Sequence, residues 1–517
     1  MQQRFTGEVC SAKTLQKGGR SGDGLAAIDR RSARRQPTQN AGHMWRRVWT
    51  GATAGLVTVL GFMLSATGQG HADDLINGDL QGTTLQVNTG IGVQTACGGF
   101  LANPDETRTS LESALFTRCG EMVHTFRSLR GQDNADPDLV LESITTEEEL
   151  AAALQQIAGE ETLSPGSMAT EAARDQFTGI AARLAALRVG AMGFTIAGLP
   201  STPADPSNYA TTLDVPATSP VRGGAASADQ PELVKDLGGF VNLVGGLGDK
   251  DATDLEDGFD YNAAGITAGV DYRVSDRLVL GVAFGYNSVQ TDFDERGTVT
   301  GGGIDNDNYA ASLYGSYSAQ DYYIDGIVTY GWSDYDMRRR VYYDVQNKVA
   351  TADTESDQYS LAVGAGYEAH KGALSFGPQV RVSYLNLDID GYEESGAEEL
   401  NLAVDDQEVE SLTTAVGGQV AYTISHKLAV IRPFATAEWH HEFDDDSQVI
   451  STHYVNDPRQ HILELQTDDP DRNYFLVGAG ISGVLPGGAQ ASLSYDTVLG
   501  LDDVTSHTFT LAARLEF

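Results

Sequence analysis

Positive charge is what this chain has least of. Lys and Arg number 34 against 72 Asp and Glu, a formal net charge of −38. Phosphate backbones are held by basic surfaces, so this balance excludes nucleic acid as a partner. The surplus acid gathers in runs such as Asp444-Asp445-Asp446 and Asp468-Asp469-Pro470-Asp471. These read as solvated, repulsive surface rather than divalent-cation sites. Cysteine is scarce, at Cys10, Cys97 and Cys119 alone, and two cysteines by themselves are a poor metal-ligand set. The one apolar run, Thr50–Ala66, is diluted by Gly and Thr and is too short for a membrane-spanning helix. Catalytic motifs are missing as well. Ser110 and Ser128 lack nucleophile-elbow surroundings, and His124 sits near Arg127 on an expected helix, where a surface role fits better than a catalytic one. Nothing calls for a cofactor or a metal, and the expectation is a protein that is not an enzyme.

What is there begins with an export signal. Met44-Trp45-Arg46-Arg47 is a short basic segment, the apolar run follows, and Gly70-His71-Ala72 precedes the acidic Asp73-Asp74. This reads as a secretory signal over 44–72, cleaved between Ala72 and Asp73. Residues 1–43 read as a non-native or disordered extension ahead of a true start at Met44; a long leader is the alternative. In either case Cys10 leaves the mature chain. Cys97 and Cys119 then face an oxidising compartment as a pair, and a disulfide is the expectation.

Residues 73–197 read as a small helical region. Leu111, Leu115, Met122, Phe126 and Leu129 recur at helical spacing, with Cys119 in the same series and Cys97 in a shorter segment near Ile91–Leu101. Thr146 with Glu149 three residues later opens another helix, over Thr146–Ala158. A further helix is expected over Thr170–Val189, with Ala173, Phe177, Ile180, Leu184 and Leu187 on one face. The region lacks the repeated short strands of a long β-helix stalk. From 198 to 237 Pro, Ser, Gly and Ala dominate, which reads as a flexible linker with a short helical segment near Pro231–Leu237.

From 238 to 517 the period changes to two. Leu278, Leu280, Val282, Phe284 and Tyr286 alternate with small or polar residues, as do Tyr359, Leu361, Val363, Ala365 and Tyr367. The final segment alternates in the same way through Phe509, Leu511, Ala513, Leu515 and Phe517. Alternation alone fits both a soluble sandwich and a membrane barrel whose apolar face points outward. Three features favour the barrel: strands of about ten residues or more, aromatic residues near strand ends, and connections that alternate between short and long. The expected strands are 238–248, 260–274, 278–293, 307–318, 322–340, 357–369, 373–391, 409–424, 428–443, 473–485, 489–498 and 507–517. That even number suits a bacterial barrel, with short turns on the periplasmic side. The enclosed face then carries Asp271, Asp325, Arg381, Arg432, Glu438, His440, Asp496, Arg514 and Glu516, charges that pair with one another or line a wet lumen.

This C-terminal region resembles the translocator barrel of autotransporters (type V secretion). The resemblance is carried by Thr267-Ala268-Gly269-Val270-Asp271-Tyr272-Arg273, Leu280 to Tyr286, Tyr330-Gly331-Trp332, Phe376-Gly377-Pro378, Arg432-Pro433-Phe434 and the terminal aromatic. It implies a twelve-stranded outer-membrane barrel and a segment that threads the pore. It also implies insertion by the outer-membrane assembly machinery through the last strand, with Phe509, Leu511, Leu515 and Phe517 as the assembly signal. Delivery would use the general secretion pathway, and the expected state is a monomer in outer-membrane lipid. The helical region departs from the family's common passengers, so the resemblance supplies no passenger activity. Either the Pro231–Leu237 segment or the linker is expected to fill the pore. The leading function is export or display of the chain's own N-terminal region. The alternative is a porin-like or envelope-structural barrel whose helical region stays periplasmic. A barrel-embedded hydrolase would have to use Asp444–Asp446 near His440 and His441.

Overall fold

The computed structural model describes residues 75–101, 108–166, 168, 176–177, 179–181, 183–184, 194–196, 237–294, 301–319, 321–426, 429–484 and 490–514. The extension 1–43, the signal 44–72 with the Ala72/Asp73 junction, residues 198–236 of the linker, and Leu515 and Phe517 lie outside the described residues.

Twelve strands run antiparallel to their neighbours and close on themselves. They are β1 (Leu237–Lys250), β2 (Phe259–Ser275), β3 (Leu278–Phe293), β4 (Gly303–Ala319), β5 (Tyr322–Tyr343) and β6 (Gln346–Tyr367), followed by β7 (Leu374–Ile389), β8 (Gln407–Tyr422), β9 (Ala429–Glu442), β10 (Asn473–Val484), β11 (Gln490–Leu499) and β12 (Val504–Arg514). Closure is made by β12 on β1, from Val504 opposite Lys250 to Leu511 opposite Leu243. A short segment, Phe194–Ile196, lies parallel to β1 with Phe194 opposite Gly239.

The faces decide between sandwich and barrel. On β3, Leu280 and Phe284 are 49% and 65% exposed, whereas Val279 and Ala283 are 5% and 1% exposed. The large apolar residues are outside, as lipid requires, and the same holds for Phe509 and Leu511 on β12. At the long-loop end a run of rings marks the interface: Tyr286 on Tyr309 at 5.2 Å, Tyr309 on Trp332 at 5.8 Å, and Tyr330 on Tyr359 at 5.1 Å. Tyr286 and Tyr330 donate their hydroxyls to Asp307 and Asp357, so each ring has an apolar body and a bonded polar tip. Beyond the girdle the outer face turns acidic, with Asp305 opposite Asp336 and Asp336 opposite Asp353.

One connection departs from the expected alternation. A long loop was anticipated after residue 340; instead β5 and β6 run on to a two-residue turn at Asp344-Val345. The extension persists because Met337, Arg339, Val341 and Tyr343 keep facing inward and find a buried partner surface beyond the membrane. The two longest outer loops add strands of their own. Tyr392–Glu393 and Leu402–Val404 join Val449–Tyr454 and Leu463–Gln466 in a four-stranded sheet.

That partner surface is the helical region: α1 (Thr84–Leu101), α2 (Ser110–Leu129) and α3 (Glu147–Ala158). Thr109 with Glu112, and Thr146 with Glu149, form capping boxes that satisfy the first free N–H groups of α2 and α3. Gly159 ends α3 at φ +76°, a left-handed position that glycine takes without a steric cost. Cys97 on α1 and Cys119 on α2 are disulfide-bonded, with Cα atoms 5.7 Å apart. Native protein should therefore show no free thiol at these positions after denaturation. Reduction should destabilise the helical region by roughly 3 kcal/mol on the loop-entropy account, read as a drop in its unfolding temperature.

Candidate functional site: lumen plug and outer roof

The residues that matter sit where the helical region meets the barrel. Leu75, Val93, Phe100, Met122, Phe126, Leu150 and Leu154 form one buried cluster with Val341, Tyr343, Leu400, Leu402, Tyr454 and Leu463. The first group is the helical core. The second belongs to the β5–β6 extension and the long-loop sheet. The helical region is thus packed on the long-loop end of the barrel, with no gap in apolar burial between them.

From there the chain descends into the lumen. Leu163 and Met168 pack among Phe259, Tyr261, Ala263 and Phe293 near the long-loop end. Deeper, Gln176 accepts from Thr267 at 2.8 Å and donates to Ser312 at 3.1 Å, while Asn242 donates to the Gly179 carbonyl at 2.6 Å. Gly285 lies against Gln176, where a Cβ would collide with the amide. Lowest is Arg183, fully buried: its Nε and Nη2 donate to the two carboxylate oxygens of Asp271 at 2.7 and 2.9 Å. Tyr314 donates its hydroxyl to the same carboxylate at 3.1 Å, and the guanidinium lies over the Phe240 ring at 5.6 Å. Ile180 and Leu184 fill the space around this group. A planar bidentate fork fixes both distance and angle, so this pair sets the depth and rotation of the segment.

The lumen segment belongs to the helix expected over 170–189, and of the Pro231–Leu237 segment and the linker, which were expected to fill the pore, only Leu237 is among the described residues. Leu237 opens β1 instead. Side-chain complementarity to the wall, and not adjacency in sequence to the first strand, seats residues 176–184 there. The sequence does carry a signal for Arg183: it lies three residues after Ile180, a charge on an otherwise apolar face.

A second arginine holds the roof. Arg339 of β5, 3% exposed, forms a bidentate pair with Glu394 at 2.8 and 2.5 Å and donates to the carbonyls of Gln156 and Leu400, both at 3.0 Å. Gln156 in turn accepts from the Tyr342 N–H at 2.5 Å, and Tyr454 donates to the Ile157 carbonyl at 3.2 Å. The end of α3 is thus bonded to the β5–β6 extension and to both long loops.

The other expected lumen residues are placed as follows. Arg381 bonds Glu438 at 2.9 Å, and Glu438 also contacts His440 at 3.1 Å. Arg432 donates to Ser375 at 2.9 Å and pairs with Glu368 at 3.4 Å. Asp325 is half-buried on β5. Arg514 pairs through its backbone with Gln490, and its side chain lies outside the described residues. The acidic triplet does not converge on the histidines. His440 stacks on Tyr474 inside, His441 packs on Phe443 outside, and Asp445 is held by Arg472. No group of three or more His, Cys, Asp or Glu with metal-binding geometry occurs among the described residues.

Residues 239–496 match the family model described as the autotransporter beta-domain. Esterase EstA of Pseudomonas aeruginosa is 27% identical over 294 residues, which are 55% of this chain and 44% of that protein. Outer membrane protein A of Rickettsia conorii is 26% identical over 220 residues, 41% of this chain and 11% of that one. The matches thus span less than half of these relatives' own length. Among solved structures, the translocator domain of NalP from Neisseria meningitidis aligns with a TM-score of 0.43 at 15% identity, covering 55% of this chain and 89% of that one. The Bordetella BrkA β-domain aligns at 0.39 and 17%, covering 55% and 100%.

Proposed function

From a chain that belongs to the autotransporter β-domain family and sits in the outer membrane, we propose that the barrel carries its own small helical domain to the cell surface and keeps it there as a fixed cap. One observation supports this above the rest. The helical domain packs on the long-loop end, and barrels of this type keep long loops outside and short turns in the periplasm. A domain left in the periplasm would instead meet the short turns, and the lumen segment would have no reason to run from the long-loop end down to Asp271. The cap is a structural or recognition domain, with no catalytic role. The esterase name belongs to a relative of which 44% is matched, and hydrolysis of a short-chain p-nitrophenyl ester above the blank would overturn the non-enzymatic reading. Partners in this proposal are outer-membrane lipid, the assembly machinery and the general secretion pathway, for a monomeric barrel.

An epitope placed after Asp74 tests the proposal in intact cells. It should be labelled by antibody, removed by added protease, and absent from the medium. An epitope protected until the outer membrane is broken would instead favour the periplasmic, porin-like or envelope-structural alternative.

A further inference from the structure

Below α3 the chain leaves the cap through two adjacent acids, Glu160 and Glu161, and enters a part of the roof that is itself acidic. Glu160 is 5% exposed and accepts from Gln155 at 3.1 Å. Facing it are Asp257 and Glu256 of the β1–β2 loop, with Glu161 beside it. Glu161 faces Arg339 of β5, Glu394 of the β7–β8 loop and Asp257. Among the described residues, two bases on this side are bonded to other acids: Arg339 to Glu394, and Lys250 to Glu256 and Asp468. Arg338, on the outer face, lies 3.9 Å from Asp305.

Between these groups is a cavity of about 10 Å³ whose lining includes Glu161, Thr162, Tyr392 and Glu394. Thr162 and Tyr392 are 2% and 8% exposed, yet the Thr162 hydroxyl and the Tyr392 hydroxyl make no hydrogen bond among the described residues. A space of that size admits about one water, and buried hydroxyls without partners raise the free energy of the closed arrangement. The junction therefore closes over a buried Glu160 and two buried hydroxyls without partners among the described residues, beneath an otherwise well-packed cap.

We propose that Glu160 and Glu161 form a proton-operated latch, which holds the cap on the barrel while the pair is protonated and loosens it when the pair ionises. The latch regulates the display proposed above and rests on that reading for its meaning in the cell. The electrostatics agree in sign. Burial, with Asp257 and Glu161 next in effect, pushes Glu160 well above the ordinary carboxylate range. Burial raises Glu161 to about 7, with the Arg339 guanidinium opposing. A carboxylate whose pKa is higher when docked binds more protons in the docked state. Docking is then strongest in acid and weakens as pH rises from the ordinary carboxylate range through about 7. For Glu161 alone, docking should weaken roughly 30-fold between about pH 5.5 and 8.5.

The test uses the full chain folded in detergent micelles. Ser143 donates to Asp344 at 2.6 Å across the junction, and Val345 beside it is 80% exposed. Nitroxides on Ser143→Cys and Val345→Cys report docking as dipolar broadening, with the native cysteines tied up as a disulfide. Broadening should be greatest at about pH 5.5, fall as pH rises through about 7, and level off by about pH 8.5. In the double variant Glu160→Gln, Glu161→Gln, which copies the protonated pair without changing its shape, broadening should persist at both pH values. Equal broadening in the unsubstituted pair across this range overturns the latch, and so does a pH response that the Gln pair leaves intact. Neither outcome bears on display, which the epitope in intact cells decides separately.

Discussion

Replacing Arg183 with Ala should unseat the lumen segment and cost roughly 3–5 kcal/mol, because it leaves the Asp271 carboxylate buried beside a neutral tyrosine hydroxyl. The readouts are the unfolding temperature of the folded barrel and the protease sensitivity of residues 176–184. Asp271→Ala should cost a similar amount, since it takes both carboxylate acceptors away from a fully buried guanidinium. Removing both should cost less than the sum of the two, because each single loss is dominated by the charge left behind. A double-variant cost equal to that sum would mean the two residues act independently and do not set the seating.

Arg339→Ala should have the largest effect on the cap. It removes the donors to Glu394 and to the Gln156 and Leu400 carbonyls and leaves a buried carboxylate, again roughly 3–5 kcal/mol. The barrel strands, which pair through their own backbones, should keep their heat resistance while the helical domain becomes open to trypsin. Arg339→Met with Glu394→Met should restore part of the loss, since the stranded charge goes but the two carbonyls still lack a donor. A cap as protease-resistant in Arg339→Ala as in the unsubstituted protein would show that the apolar cluster around Tyr343, Leu402 and Leu463 is sufficient to hold it. Because Arg339 also faces Glu161 and opposes the rise in its pKa, this comparison is made at one fixed pH, and the Gln pair decides the proton latch separately. Arg339 contributes at every pH, whereas Glu160 and Glu161 modulate docking only through the range where they ionise.

Much of the barrel was legible in advance because a transmembrane strand repeats one physical constraint every second residue. Leu280, Val282 and Phe284 had to share a face, and short turns such as Ser275-Asp276-Arg277 had to separate hairpins. The same local logic covered Thr146 with Glu149, where a cap is a contact between residues three apart. The β5–β6 extension was missed because its inward residues pack on a domain nearly two hundred positions away, which no window of local pattern includes.

By itself, then, the sequence determined the antiparallel strands, their outward apolar face, the helical segments and the cysteine pair. These depend on spacing along the chain and on the medium each face meets. Tertiary structure alone decided which helix enters the lumen, that Arg183 meets Asp271, that the helical domain sits on the long-loop end, and that Glu160 is buried beside Asp257 with Glu161 half-buried facing Arg339. Each of these joins residues far apart in sequence through shape and charge complementarity, and that complementarity exists only once the barrel has closed.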